Sequence, residues 1–257
     1  MTDRYYRGQG SVFLSERDPV TGQPTGGFRF LGNVPTLRIS TTTQQIKHQE
    51  SYTGQQLTDL VIETTKEAQL MMTLEYFDAQ NLAFALFGTP TVVAGATVSN
   101  EAVIAQPGRH LPLANINLSA FTSLVSGAGA GATTYVQGTD YIVNLKSGMI
   151  SFPVDSTIPN GATVQANYTC GDTEKVSAFT RTNREFWLRF DGLNTAENDN
   201  PVVIDCYRVR FMPQKQWDLI GNELSSMELD GDILFDSKQP NTAENGRFFR
   251  QRQVAPA

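Results

Sequence analysis

Residues 57–88, LTDLVIETTKEAQLMMTLEYFDAQNLAFALFG, constrain the fold of this chain more than any other stretch. Leu60 and Ile62 alternate with Asp59 and Glu63, and further on Leu70, Met72, Leu74 and Tyr76 alternate with Thr73 and Glu75. A two-residue period marks strands with one buried side. Thr65-Lys66-Glu67-Ala68 is a polar break between the two patterns, which predicts an antiparallel hairpin with its turn there. A helix follows. Asp78 can accept from first-turn amides, Gly88 can take the left-handed closing conformation, and Pro90 blocks continuation. Leu82, Phe84, Ala85 and Leu86 form its apolar face, so a helix laid across the hairpin makes a small core.

A chain of 257 residues holds one large domain or two ordinary ones. Its 40% apolar and 18% charged content excludes a disordered tail. With 21 Gly and 12 Pro spread among many Ser, Thr and Asn residues, it predicts many short strands rather than a helical bundle. Residues 11–14 read as a first strand, on which residues 28–39 fold back across a turn-rich connection. Phe186, Leu188 and Phe190 form one strand face. Val203, Tyr207, Val209 and Phe211 form another, whose opposite side carries both Cys206 and Arg208. Met227 and Leu229, an Asp230-Gly231-Asp232 turn and residues 233–235 read as a last hairpin, followed by a polar tail expected to order only on assembly. The expected core is Leu70, Met72, Leu74, Leu82, Leu86, Leu188 and Phe190.

Residues 90–175 read as an inserted domain within a main domain of residues 1–89 and 176–257. The insertion opens weakly patterned and contains the low-complexity run SGAGAGA at 126–132. It then shows short strands at 141–145 and 149–152 and a strand with Ala162, Val164, Ala166 and Tyr168 on one face, which suggests a small antiparallel sandwich or meander.

The order of these elements carries a resemblance. The run LGNVPTLRIS at 31–40, a long polar stretch, DLVIET at 59–64, TLEYFDAQNLA at 73–83, the Arg7-Gly8-Gln9-Gly10 start and YRVRFMP at 207–213 resemble the tail tube proteins of long-tailed bacteriophages over nearly the whole chain. The resemblance implies a mainly β fold: an antiparallel sandwich or barrel with one flanking helix and long inter-subunit loops, the insertion being a small, immunoglobulin-like sandwich. It implies a structural role as a virion tail subunit, made in the bacterial host cytoplasm. Such subunits stack as rings, usually hexameric, whose sheets join around a bore that DNA passes through without specific binding. Its implied partners are copies of itself, a tape measure protein inside the tube, a tail terminator and distal tail or baseplate proteins. The residues implied for contacts between copies are Thr41, Thr42, Thr43, Gln44, Gln45, Ile46, Lys47, His48, Gln49, Glu50, Ser51, Tyr52, Thr53 and Gly54. Residues 40–56 in any case form a polar stretch longer than most structureless loops, and such loops are functional, solvated or disordered.

Arg4, Tyr5, Tyr6 and Arg7 form a basic aromatic N-terminal segment that could stack on nucleic acid or pack on a neighbouring copy. No further basic cluster supports the first reading, and a net charge of −6 argues against phosphate binding as an affinity function. The N-terminal residues lack the apolar core of a signal peptide, and no apolar run approaches the length of a membrane span. Cys170 and Cys206 are expected as free thiols. His48 and His110 lie in unrelated polar surroundings, which leaves no triad or histidine metal site. Asp230-Gly231-Asp232 and residues 194–200 lack calcium-loop spacing, and the Gly127–Gly131 run lacks the Lys-Ser/Thr of a phosphate loop. The expectation is therefore no cofactor, no metal and no enzyme. Two rival readings remain: a monomeric carbohydrate- or surface-binding module, which needs exposed aromatic rings among Tyr135, Tyr141 and Tyr168, or the tube of a bacterial contractile secretion system.

Overall fold

The computed structural model describes residues 5–129, 131–240, 242 and 245–254. In chain order the elements are β1 (Gly8–Arg17), β2 (Pro24–Phe30), β3 (Thr36–Gln49), β4 (Thr58–Leu74), α1 (Ala79–Ala85), β5 (Thr89–Val93), β6 (Ala96–Ile104), β7 (Arg109–Pro112) and β8 (Leu118–Val125). They continue as β9 (Ile142–Asn144), β10 (Met149–Phe152), β11 (Thr163–Cys170), β12 (Thr173–Ser177), β13 (Phe186–Asn194), β14 (Asn200–Phe211), β15 (Met227–Ile233) and β16 (Phe249–Gln253). The protein is mainly β, with 54% strand and one short helix among the described residues. It divides into two compact units, Met1–Thr89 with Val176–Ala257, and Pro90–Lys175. β5 and β12 pair with each other where the chain passes from one unit to the other and back.

The first unit is an antiparallel sheet in the order β2-β1-β13-β14-β15-β4-β3, with β16 added to β14. Val202–Cys206 of β14 pair with β16, and Val209–Phe211 pair with β15. Between these halves the β13 register slips, Phe186 facing Val209 while Leu188 faces Cys206. That irregularity puts Cys206 (0% exposed) in the same core as Val209 and Phe211, and lets Arg208 reach Glu185 instead. Strict alternation, which placed Cys206 and Arg208 on one face, fails at this bulge. Burial pushes the Cys206 thiol up to about 12, and both cysteines are free and buried.

Several sequence expectations give way here. β4 runs unbroken for 17 residues, and no turn interrupts it at residues 65–68. The stretch expected as a loop from residue 40 is strand β3, paired with β4 from Thr36↔Thr73 to Gln49↔Thr58. Thr41–Thr43 and Ile46 favour a pleated strand, but with both faces wet their composition reads as loop. Only β2 returns onto β1, residues 36–39 belonging to β3. Asp230-Gly231-Asp232 lies within β15, where Gly231 pairs with both Leu70 and Phe211. A Cβ at Gly231 would lie 3.1 Å from the Phe211 ring, so the glycine serves close strand approach rather than a turn. Within the tail, Phe249–Gln253 form strand β16, and Phe248 and Phe249 pack on the core.

Asp78 caps α1 by accepting from Asn81 N at 2.5 Å. The left-handed residue at its end is Phe87 (φ 51°), not Gly88. Gly88 is required because a Cβ there would come within 2.6 Å of the Ser177 carbonyl. Asn81, Ala83, Phe84 and Ala85 form the buried face, while Leu82 is half-buried against the core and Leu86 lies outside the buried cluster. Phe84 stands edge-on to Phe186 and Phe211 with centroids 5.1 and 4.9 Å apart. Of the other expected core residues Leu70, Met72, Leu74 and Leu188 are buried, and Phe190 is partly so. Arg17, 6% exposed, donates twice to buried Asp236 (2.7 and 3.1 Å) and once to Glu185 (3.1 Å).

The second unit has two three-stranded sheets, β6-β11-β8 and β7-β10-β9, both contributing to one buried cluster. Its first half, weakly patterned in sequence, supplies β6, β7 and β8. Tyr141 and Tyr168 are buried, while Phe121 and Tyr135 pack half-buried on the cluster. Among its described residues no Phe, Tyr or Trp side chain is exposed, which argues against the platform a sugar-binding module needs.

Candidate assembly interface

β15 covers β4 only from Ala68 to Leu74. Beyond Ala68, β3 and β4 continue as a two-stranded arm, and among the described residues no third strand pairs with it. Every residue from Thr41 to Glu67 except Glu50 is exposed.

The arm is nonetheless ordered by its own chemistry. Glu50, 5% exposed, turns its carboxylate into the loop at residues 50–57 and accepts from the amides of Tyr52 (2.9 Å), Thr53 (2.9 Å) and Leu57 (3.2 Å) and from the Thr53 hydroxyl. The Thr53 hydroxyl and amide, with lesser help from Leu57 and Tyr52, lower its pKa to about 2. His48 Nδ1 lies 2.6 Å from Asp59 Oδ1 and holds that carboxyl below its usual range.

A register shift decides what the arm presents. Gln44 faces Thr65, but Gln45 faces Glu63, so Thr64 is the extra residue of a bulge. Without that bulge, and with Thr64 taken into a regular ladder, Leu60 and Ile62, even-numbered like Leu70 and Met72, would point to the core side. With it Ile46↔Ile62 and His48↔Leu60 become pairs on the opposite face. Ile46, Leu60 and Ile62, 61%, 51% and 51% exposed, form an apolar patch there. The sequence pattern located Leu60 and Ile62 as a strand but turned them the wrong way, because a bulge carries no compositional signal.

Of the N-terminal segment, Arg4 lies outside the described residues. Tyr5 and Tyr6 are 70% and 57% exposed. The backbone around them is tied down: Asn194 accepts from Arg7 N at 2.9 Å and donates to Tyr5 O at 2.9 Å. Tyr5 and Tyr6 line a cleft with Gln251 and Gln253 of β16. Tyr6 also lines a larger one, about 680 Å³, with β1 and the root of β3. The structure thus brings the N-terminal tyrosines and the last strand together, while residues 41–54 line neither cleft. Sequence reading found a strand pattern at Leu60 and Ile62 but did not name residues 58–67, the second strand of the arm, as interface, and it passed over residues 212–226, which expose Leu219, Ile220 and Leu224.

On β15 the core-facing residues alternate with Glu228, Asp230 and Asp232, which form a row of carboxylates on the other face. Lys215 pairs with Asp230 at 2.9 Å. Among the described residues no group of three or more His, Cys, Asp or Glu side chains could hold a metal ion, and no helix is long and apolar enough to cross a membrane.

Fold and arm together define a mainly β chain that carries an unpartnered two-stranded projection. The chain belongs to the family described as "Protein of unknown function UCP028589", whose model matches residues 5–252. It is also similar to a tail sheath protein of Burkholderia phage BcepMu, 45% identical over 60 residues, which is 23% of this chain and 13% of that protein. The chain therefore spans a small part of the curated relative's length.

Proposed function

We propose that this protein is a structural component of a phage tail, and that within the tail it is the tube subunit. The observation that carries the reading is the arm. A two-stranded hairpin is marginal alone in water, and this one exposes an apolar patch and free strand edges that invite pairing with another chain. Its exposed residues match the roughly 20–30 per side of a standard protein interface. Copies of this chain are the proposed occupants, arranged as stacked rings, since closing sheets around a ring removes their edges. In this reading the Glu228, Asp230 and Asp232 row faces the bore, where like charge keeps DNA phosphates off the wall within roughly 8 Å at physiological salt. A tape measure protein, a tail terminator and distal tail or baseplate proteins are the further partners this role implies.

Similarity to a sheath protein favours a second reading, in which the chain coats an existing tube. Negative-stain microscopy of the concentrated protein separates them. Open-bored rings or tubes grown from this chain alone support the tube reading, decoration of a preformed tube supports the sheath, and a persistent monomer sinks both. Replacing residues 44–65 by Asn-Gly joins the paired Thr43 and Lys66 through a tight turn. That variant is expected to fold and to form no tubes; normal tubes would remove the role given to the arm.

A further inference from the structure

The opposite end of the first unit's sheet carries a second apolar surface. Between β14 and β15, residues 212–226 expose Leu219, Ile220 and Leu224 at 75%, 97% and 95%. This loop is seated: Gln214 N donates to Ala85 O at 2.9 Å, and Trp217 stacks on Phe77 with centroids 6.4 Å apart. Tyr76 and Phe77 beside it are 55% and 39% exposed. Met227, where the loop ends, pairs with Leu74, so the loop lies at one end of β4 and the arm's turn lies beyond the other. A strand of 17 residues separates them by roughly 55 Å at about 3.3 Å per residue.

Two different apolar surfaces at opposite ends of one element cannot satisfy each other within a chain. Between chains they make a heterologous contact that repeats with every added copy. We propose that the loop at 212–226, with Tyr76 and Phe77, is the receptor for the arm of a second copy of this chain, linking copies end to end. The proposal rests on the self-assembly reading above and names the arm's partner. Six side chains carry the surface: Tyr76, Phe77, Trp217, Leu219, Ile220 and Leu224. At roughly 60–120 Å² of apolar area each on full burial, and allowing for what Phe77, Trp217 and Tyr76 already cover, they supply roughly a third to a half of the ~800 Å² per partner of a standard interface. The cleft at the root of β3 is the weaker receptor, because its apolar lining, Leu37, Ile39, Phe190 and Ile204, already packs on the core.

The test uses the full chain with paired cysteines, Ile62→Cys and Ile220→Cys, since native Cys170 and Cys206 are buried. Mild oxidation of assembled protein is expected to give a ladder of covalent oligomers from the double variant and no more than dimers from either single variant. A ladder from Ile62→Cys with Leu37→Cys, and none from the first pair, would overturn the receptor while leaving self-assembly intact. A wild-type chain that stays monomeric by sedimentation at every concentration overturns both. Independently, Ile220→Asp with Leu224→Asp is expected to keep the subunit folded and shorten assemblies by roughly tenfold or more, as loss of hot-spot side chains weakens an interface. Assemblies of normal length from that variant would also overturn the proposal.

Discussion

β4 is one strand with two different lives. From Ala68 to Leu74 every second side chain is buried, β15 and β3 flank it, and Leu70 and Leu74 are fully enclosed. From Thr58 to Glu67 the same strand has the same partner, β3, yet no side chain is buried. Backbone pairing is therefore common to both halves, and only side-chain burial separates them. The base holds itself together, whereas the arm keeps its shape through Glu50 and the hairpin ladder and leaves its apolar area unspent.

The sharpest contrast is electrostatic. Arg17→Met in the base leaves Asp236 buried and unpaired and is expected to cost about 3–5 kcal/mol of stability by chemical denaturation. The arm's Lys66–Glu63 pair, 69% and 52% exposed, has no comparable role. A stability loss below about 1 kcal/mol for Arg17→Met would show that the base is not held by this pair.

Leu70→Ala and Ile62→Ala then compare the two halves directly. The first is expected to destabilise the free subunit by roughly 2–5 kcal/mol through the cavity it leaves, and the second by less than about 0.5 kcal/mol. Thermal melts of the two variants at monomeric concentrations measure the difference, and equal losses would erase the distinction drawn here.

The smallest effect is a titration confined to the arm. Because the Glu50 pKa is lowered from its ordinary 4.5 to about 2, its contribution to the turn is complete above about pH 4.5 and disappears as pH falls towards 2. The Tyr52 and Thr53 amide resonances are expected to titrate near 2. A midpoint near 4.5 would mean that the carboxylate does not organise the turn.

The base was legible in the sequence because one-sided burial writes a two-residue period: Leu70, Met72 and Leu74 stand out at once, as does Asp78 at the helix start. The arm was legible only in part. Residues 41–54 announced an unusual polar stretch but not a strand, since a ribbon wet on both faces has no period to read. Its second strand at 58–67 was found as a pattern and then severed from residues 70–74, because a bulge and a turn look alike in composition. Gly231 misled in the same way, its strand having a wet outer face. The loop at 212–226 passed unnoticed: Ile220 and Leu224 stand four apart as on a helix, but Pro213 and Gly221 interrupt the segment, which forms neither strand nor helix.

Thr64 has a consequence out of proportion to its size. It works as a parity bit: a ladder that took Thr64 in as a paired residue would turn Leu60 and Ile62 through half a turn without changing the composition of the arm. The same segment thus has two ways to aim the sticky side of this projection, and to select its neighbours, set by whether that one residue is bulged out or paired.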